Sequence, residues 1–156
     1  MLILCLSFAV ALLDQVTKHA IHTRFVVGDQ ATVMPGFFSL SHVRNTGAAW
    51  GILSGMSSWL VAFSVVMLVV VVFFRRSFVG DGFVGRMAAG LMIGGIVGNL
   101  IDRLRLGYVV DFLHFYWRSH AFPDFNVADS AICTGVGLYL LSQFLSARKT
   151  EDGLKE

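Results

Sequence analysis

Charged side chains are scarce in this sequence. Only 14% of its 156 residues are Asp, Glu, Lys or Arg, whereas 56% are hydrophobic. A soluble domain of this length needs roughly a quarter of its residues charged to cover its surface, so the composition excludes an ordinary soluble protein and indicates an integral membrane protein. The 12 basic and 10 acidic residues nearly balance, which leaves no basic field that could attract nucleic acid.

Cysteine and glutamate are also rare. The two cysteines, Cys5 and Cys133, lie in apolar runs without any CxxC or Cys/His spacing, so we interpret them as small, buried, apolar side chains. Glutamate occurs only in the C-terminal tail, and the acids in the body of the chain are all Asp. Five of these lie at or near predicted membrane boundaries, where an ionisable group needs a partner or a function: Asp14, Asp102, Asp111, Asp124 and Asp129.

Four apolar stretches are each close to the roughly 20 helical residues that cross a hydrocarbon core about 30 Å thick. They predict a single integral membrane domain, 1–156, with spans at about 1–21, 58–74, 83–101 and 127–146. The first stretch could instead be a cleaved signal peptide, but it has no basic region before it and no A-x-A site after it. Basic pairs at 75–76 and 148–149 adjoin the ends of two spans, so the positive-inside bias places both termini in the cytoplasm.

Two long connections then lie on the opposite side of the membrane. In the first, segments 25–27, 32–34 and 37–43 have the composition of strands and predict a small antiparallel sheet. The second, 102–126, holds a cluster of aromatic residues beside a span, which is typical of the lipid headgroup region. The expected fold class is therefore an all-α membrane protein, a four-helix bundle with a small sheet outside the membrane.

Two charged side chains interrupt the first span. Asp14 and Lys18 are four residues apart with the acid N-terminal to the base, so they share one helix face in the favourable order. At 1.5 Å per residue, Asp14 lies about 20 Å along the helix and still within the hydrocarbon. Two interpretations stay open: an ion pair that holds the bundle together, or a pair that orders a polar site.

The third span combines small residues with a polar end. Glycines at every fourth position allow another helix to approach closely: Gly90, Gly94 and Gly98. Asn99 follows, with Asp102 and Arg103 three and four residues later, so an amide, an acid and a guanidinium leave the helix together. A helix end that meets water would explain the last two, but it explains Asn99, one turn deeper, less well.

Two Asp residues, Asp111 and Asp129, lie before and at the start of the fourth span. Asp129 follows Asn126 by three residues, and Asn126 as the N-cap with Asp129 at N3 would explain both without a function. Asp111 interrupts an apolar run with no turn residue beside it. Two neighbouring carboxylates cannot both ionise cheaply, so one keeps a proton. The ionised group can then accept a proton from water while the protonated group donates to a carbonyl oxygen, which is metal-free peptide hydrolysis.

Five segments resemble, in order and spacing, the bacterial lipoprotein signal peptidase (signal peptidase II) family. They are DQVTK at 14–18, NTGAAWG at 45–51, GGIVGNLIDR at 94–103, VVDF at 109–112 and FNVADS at 125–130. The resemblance covers about residues 10–135. The departures are Trp50, where Phe is frequent, and His114, where many members have a further Asp, so His114 has no expected catalytic role.

The resemblance implies an aspartic endopeptidase of the bacterial cytoplasmic (inner) membrane. It would remove signal peptides from prolipoproteins just before the diacylglyceryl-modified cysteine, at a site on the extracytoplasmic face. A β-cradle and a short amphipathic helix would lie there. The implied catalytic pair is Asp111 and Asp129. The implied substrate-binding or site-supporting positions are Asp14, Lys18, Asn45, Gly47, Asn99, Asp102, Arg103, Asn126 and Ala128. The expected partners are diacylglyceryl-modified prolipoproteins and membrane lipid, with no cofactor, metal or nucleic acid, and the protein is expected to act as a monomer.

Three other functions stay open. A small transporter or channel could use a buried charged relay, formed by Asp14, Lys18, Asp102 and Arg103, although the second span has no charged side chain. A metal-dependent hydrolase has five possible ligands, Asp111, Asp124, Asp129, His114 and His120, but no HExxH spacing supports it. A non-enzymatic assembly factor would use the glycine-lined helix and requires the resemblance to be misleading.

Overall fold

The fold is described by a computed structural model over residues 1–47, 52–53, 55–79 and 82–153. These residues form four long helices: α1 (Leu2–Arg24), α2 (Ser57–Val79), α3 (Phe83–Leu106) and α4 (Val127–Gly153). All four are long and apolar enough to cross a membrane. All four continue for about one to two turns past the predicted apolar stretches, because local backbone hydrogen bonding carries a helix on through polar residues. The third ends at Gly107, whose φ of 79° and N–H bond to the Arg103 carbonyl form a left-handed cap.

A four-stranded antiparallel sheet accompanies the helices. It contains β1 (Gln30–Met34), β2 (Phe38–Asn45), β3 (Val109–Trp117) and β4 (His120–Ala121), in that spatial order. The strand prediction is confirmed for the segments that became β1 and β2. It is wrong for 25–27, because Phe25 caps α1 by donating to the Ile21 carbonyl and the chain then turns at Gly28.

The expected fold class needs two changes. The sheet means that the all-α description fits only the helical part of the chain. The aromatic connection 102–126 between the third and fourth spans also contains strand β3, at Val109–Trp117. No further helix is found in the described residues, so the short amphipathic helix implied by the resemblance has no counterpart there.

The third helix is the centre of the bundle and contacts each of the other three. Its glycines make this possible, because a Cβ at Gly94 would lie 2.7 Å from the Ser7 carbonyl oxygen of α1. A Cβ at Gly95 would press on the carbonyl oxygen of Ala128 in α4. In lipid, helices gain little from burying apolar surface against each other, so close backbone approach supplies the packing energy instead. The predicted small-residue face is confirmed.

The interpretation of the two cysteines as buried is wrong. Cys5 on α1 and Cys133 on α4 are both exposed. An apolar run cannot distinguish the two environments, because the outer face of a membrane helix is as apolar as its packed face.

Gly94→Ala is expected to lower the free energy of unfolding by about 1–3 kcal/mol, since the added methyl group meets the backbone of α1. The matched control is Gly137→Ala on α4, where nothing lies within 4 Å of the added Cβ. The control should melt at the wild-type temperature or slightly above it, because Ala favours a helix over Gly. The measurement is the melting temperature in detergent, and equal effects of the two substitutions would contradict the packing argument.

Candidate active site

Lys18 is the centre of a buried polar network. Its ammonium nitrogen lies 2.8 Å from Asp14 Oδ2 and 3.1 Å from Asp102 Oδ2, and it donates to Asn99 Oδ1 at 2.8 Å. Only 3% of the Lys18 side chain is exposed. Three partners satisfy the three N–H groups of the ammonium, which is the condition for burying a charge at low cost. The network therefore joins α1 to α3 by charge as well as by packing.

The two carboxylates bound to Lys18 each hold a backbone amide of another element. Asp14 Oδ1 accepts from the Ala128 N–H at 2.9 Å, and Asp102 Oδ2 accepts from the Val110 N–H at 3.1 Å. The first bond fixes the start of α4, and the second fixes the start of β3. Both interpretations of the first-span pair hold, because it is a structural ion pair that also orders polar groups.

Gln15 belongs to this network, although sequence reasoning assigned it no role. Its Nε2 donates to Asp102 Oδ1 at 2.9 Å and to the Gly98 carbonyl at 3.1 Å. The available signal was an amide inside an apolar span, directly beside Asp14. A polar side chain at that depth needs a partner in the protein.

Asn99 and Asn126 connect the network to Asp129. Asn99 Nδ2 donates to Asp129 Oδ1 at 2.7 Å, and Asn99 Oδ1 accepts from Asn126 Nδ2 at 3.2 Å. Asn126 Oδ1 accepts from the Asp129 N–H at 2.9 Å, while Asp129 Oδ2 accepts from the Asn126 N–H at 3.2 Å. This reciprocal pair is a helix cap, so the capping interpretation of Asn126 and Asp129 is confirmed.

Asp111 on β3 is held by two amides. Its Oδ2 accepts from Asn45 Nδ2 at 2.8 Å, and its Oδ1 accepts from Asn126 Nδ2 at 2.7 Å. Burial raises the pKa of Asp111 to about 7, and the nearby Asp129 carboxylate adds to the rise, whereas the two amide hydrogen bonds oppose it. With a pKa of about 7, Asp111 stays largely protonated until the pH approaches neutrality. Asn126 bonds both acids, because it contacts Asp111 as well as Asp129.

Asp111 and Asp129 line one cavity of about 430 Å³, with Phe122 and Phe125 among the side chains of its wall. A second, apolar groove of about 280 Å³ between α2, α3 and α4 is also lined by Asp129. Arg103 lines both spaces and donates to the Gly47 carbonyl at 3.3 Å. The arrangement offers two carboxyls, a cation and amide donors beside an apolar groove.

All of the predicted site positions are connected by hydrogen bonds, directly or through one another. The last link is Gly47, whose N–H donates to Asn45 Oδ1 at 2.9 Å. Part of the motif at 45–51 lies outside the described residues, from 48 to 51, and this includes Trp50.

The proposed metal ligands do not come together in the same way. Nδ1 of His114 lies 3.2 Å from Oδ1 of Asp124, and His120 belongs to β4. In the part of the chain that the structure describes, no group of three or more His, Cys, Asp or Glu side chains could hold a metal ion.

Comparison with known proteins identifies the family. The family model described as Signal peptidase (SPase) II matches residues 6–145. The lipoprotein signal peptidase of Symbiobacterium thermophilum is 43% identical over 96% of this chain and 98% of its own. The lipoprotein signal peptidase of Syntrophotalea carbinolica is 44% identical over 92% of this chain and 91% of its own.

Solved structures agree with the sequence comparison. A bacterial membrane enzyme determined by the in meso method at 2.3 Å resolution superposes with a TM-score of 0.84 at 35% identity, covering 93% of this chain and 88% of that one. A second bacterial membrane enzyme, determined by the same method at 1.9 Å resolution, gives a TM-score of 0.80 at 35% identity. The match covers 90% of this chain and 91% of that one. The fold, the acid pair and these matches lead to one conclusion: the chain belongs to the signal peptidase II family of aspartic peptidases.

Proposed function

We propose that the protein removes the signal peptide from prolipoproteins by cutting the bond before the diacylglyceryl-modified cysteine, with Asp111 and Asp129 as its catalytic pair. The observation that carries the catalytic assignment is that Asn126 bonds both carboxyls beside one cavity. The relatives named lipoprotein signal peptidase support the substrate class. Membership of a peptidase family gives no support to the transporter or channel alternative.

In the proposed mechanism the pair holds one proton, which we place on Asp111 because burial and the neighbouring Asp129 carboxylate disfavour its ionised form. Asp129 accepts a proton from water as the water oxygen attacks the scissile carbonyl carbon, and Asp111 donates its proton to the carbonyl oxygen. The tetrahedral intermediate then collapses. The C–N bond breaks, the leaving nitrogen takes the proton from Asp129, and Asp111 recovers a proton from the intermediate's hydroxyl. Arg103 and Asn45 bind substrate carbonyls in this scheme.

The proposed site opens at the extracytoplasmic face. The polar groups lie at the C-terminal end of α3 and the N-terminal end of α4, beside the sheet. Basic pairs at 75–76 and 148–149 support cytoplasmic termini and hence this orientation in the inner membrane. A lipid-modified substrate reaches the site by diffusion in the bilayer, and the apolar groove beside Asp129 accommodates its apolar part. One chain supplies every group of the site, so a monomer suffices.

Asp111→Asn and Asp129→Asn should each reduce cleavage of a diacylglyceryl-modified prolipoprotein by roughly 10²–10⁴-fold, because each removes one proton-transfer partner. The assay is conversion in detergent, measured as a shift on a gel. The control is Asp29→Asn, which changes an acid in the turn before β1 that accepts from the Val26 N–H. If either catalytic variant cleaves at the control's rate, the acid pair is not the catalytic pair.

Activity should fall as the pH rises above about 7. The scheme needs one protonated carboxyl, and Asp111, whose pKa is raised to about 7, loses its proton there. The measurement is kcat/KM as a function of pH, and the alkaline decline is its readout. A rate that stays constant to well above that pH would show that no protonated carboxyl takes part.

Lys18→Met should destabilise the fold by about 3–5 kcal/mol, since it leaves Asp14 and Asp102 buried without their cation. His19→Met, at an exposed neighbouring position, is the control. Adding Asp14→Asn to Lys18→Met removes one uncompensated charge and should recover part of the loss. The measurement is the melting temperature in detergent. If the double variant melts no higher than the single one, the effect of Lys18 is packing rather than charge.

A further inference from the structure

A second polar cluster is centred on Asp124, which also lines the cavity of Asp111 and Asp129. His114 is three residues after Asp111 on β3, so the two side chains point to opposite faces. The distance between Oδ1 of Asp124 and Nδ1 of His114 is 3.2 Å. The same oxygen accepts a hydrogen bond from Ser41 Oγ on β2. The side chains of His114 and Asp124 are 20% and 21% exposed. The described mechanism uses none of these three residues.

A bulge in β2 places Ser41 in this cluster. Leu40 pairs with Leu113 but Val43 pairs with Asp111, so β2 has one extra residue between them. An extra residue reverses the alternation of side chains along a strand. Ser41 and Asn45 are four residues apart and would otherwise share a face. With the bulge, Ser41 faces Asp124 while Asn45 faces Asp111.

Asp124 belongs to the connector 122–126, which leads from β4 to α4. The backbone of this connector bonds β3, because Phe122 donates to the Phe115 carbonyl and Phe125 exchanges hydrogen bonds with Leu113 and accepts another from Phe112. The Asp124 side chain adds a link to β2 through Ser41. It thus joins the three segments that carry Asn45, Asp111 and Asn126.

We propose that Asp124 is a positioning residue, which with Ser41 and His114 forms a clasp that holds the connector so that Asn126 bonds both catalytic acids. This inference rests on the proposed function of Asp111 and Asp129. Asn126 is two residues from Asp124, so loosening the clasp displaces its amide. Displacements on the order of 1 Å in a catalytic constellation cost up to about 10²-fold in rate.

The clasp also has a signature in the pH profile. Burial and the Asp129 carboxylate raise the pKa of Asp111. The hydrogen bonds from Asn45 and Asn126 and the charge of Lys18 lower it. Arg103 also faces Asp111, and Asp124 lines the same cavity. Ser41→Ala changes no charge and weakens the Asn126 bond, so the pKa of Asp111 rises and the alkaline decline in activity moves to higher pH. A purely structural loss of folded enzyme would not move it.

The test compares Asp124→Ala and Ser41→Ala with the matched control Ser39→Ala. Ser39 lies two residues away on β2 and bonds Tyr116, outside the clasp. Both clasp variants should lower kcat by roughly 10–100-fold with KM within about twofold, and Ser41→Ala, which changes no charge, should shift the alkaline decline upward. Asp124→Asn keeps an acceptor for Ser41 and should fall between Asp124→Ala and the wild type. The control should match the wild type in kcat and in pH profile.

Two results would overturn the clasp: wild-type kcat in both variants, or a reduced kcat with an unshifted alkaline decline in Ser41→Ala. If Asp124→Ala fails to fold, Ser41→Ala and Asp124→Asn decide by the same criteria. Asp111→Asn is measured in parallel. If Asp111→Asn is inactive while the clasp variants behave as wild type, only the clasp is wrong. If Asp111→Asn is active, the proposed catalytic pair itself is wrong.

Discussion

The buried ammonium of Lys18 is the constraint on which the rest of the structure depends. A cation at this depth must be compensated, and Asp14 and Asp102 compensate it from two helices. Each of these acids also accepts a backbone N–H, from Ala128 or Val110. One charge therefore determines where α4 and β3 begin relative to α1 and α3. The two proposed catalytic acids, Asp129 and Asp111, each lie one residue beyond those anchored amides.

Several polar residues serve the fold and the proposed chemistry at once. Asn126 caps α4 and also bonds Asp111. Asp129 completes the cap and also lines the cavity. Stability and site geometry thus share the same bonds, so the acids need no separate scaffold. For the same reason, the capping and functional interpretations of Asn126 and Asp129 do not compete.

Features that depend on neighbouring residues were predictable from the sequence, whereas features that depend on residues far apart in the chain were not. The spans were predictable because partition into lipid and helical hydrogen bonding depend on about 20 consecutive residues. The strands that became β1 and β2 were predictable from composition, but 25–27 was not, because its backbone continues the end of α1. The hydrogen bonds of Gln15 were not predictable, since an amide beside an acid in a span does not reveal its partner. The cluster of Ser41, His114 and Asp124 was invisible, because its members come from separate segments.

The sequence by itself determined a membrane protein with four helices, the polar residues at the ends of those helices, and the family. Each of these depends on composition within a window or on motifs in register. Only the tertiary structure decided that Asp111 and Asp129 meet through Asn126, that Asn45 and Ser41 face opposite sides of the sheet, and that both cysteines are exposed. The physical reason is that these facts depend on strand register and helix packing, and residues far apart in the chain set both.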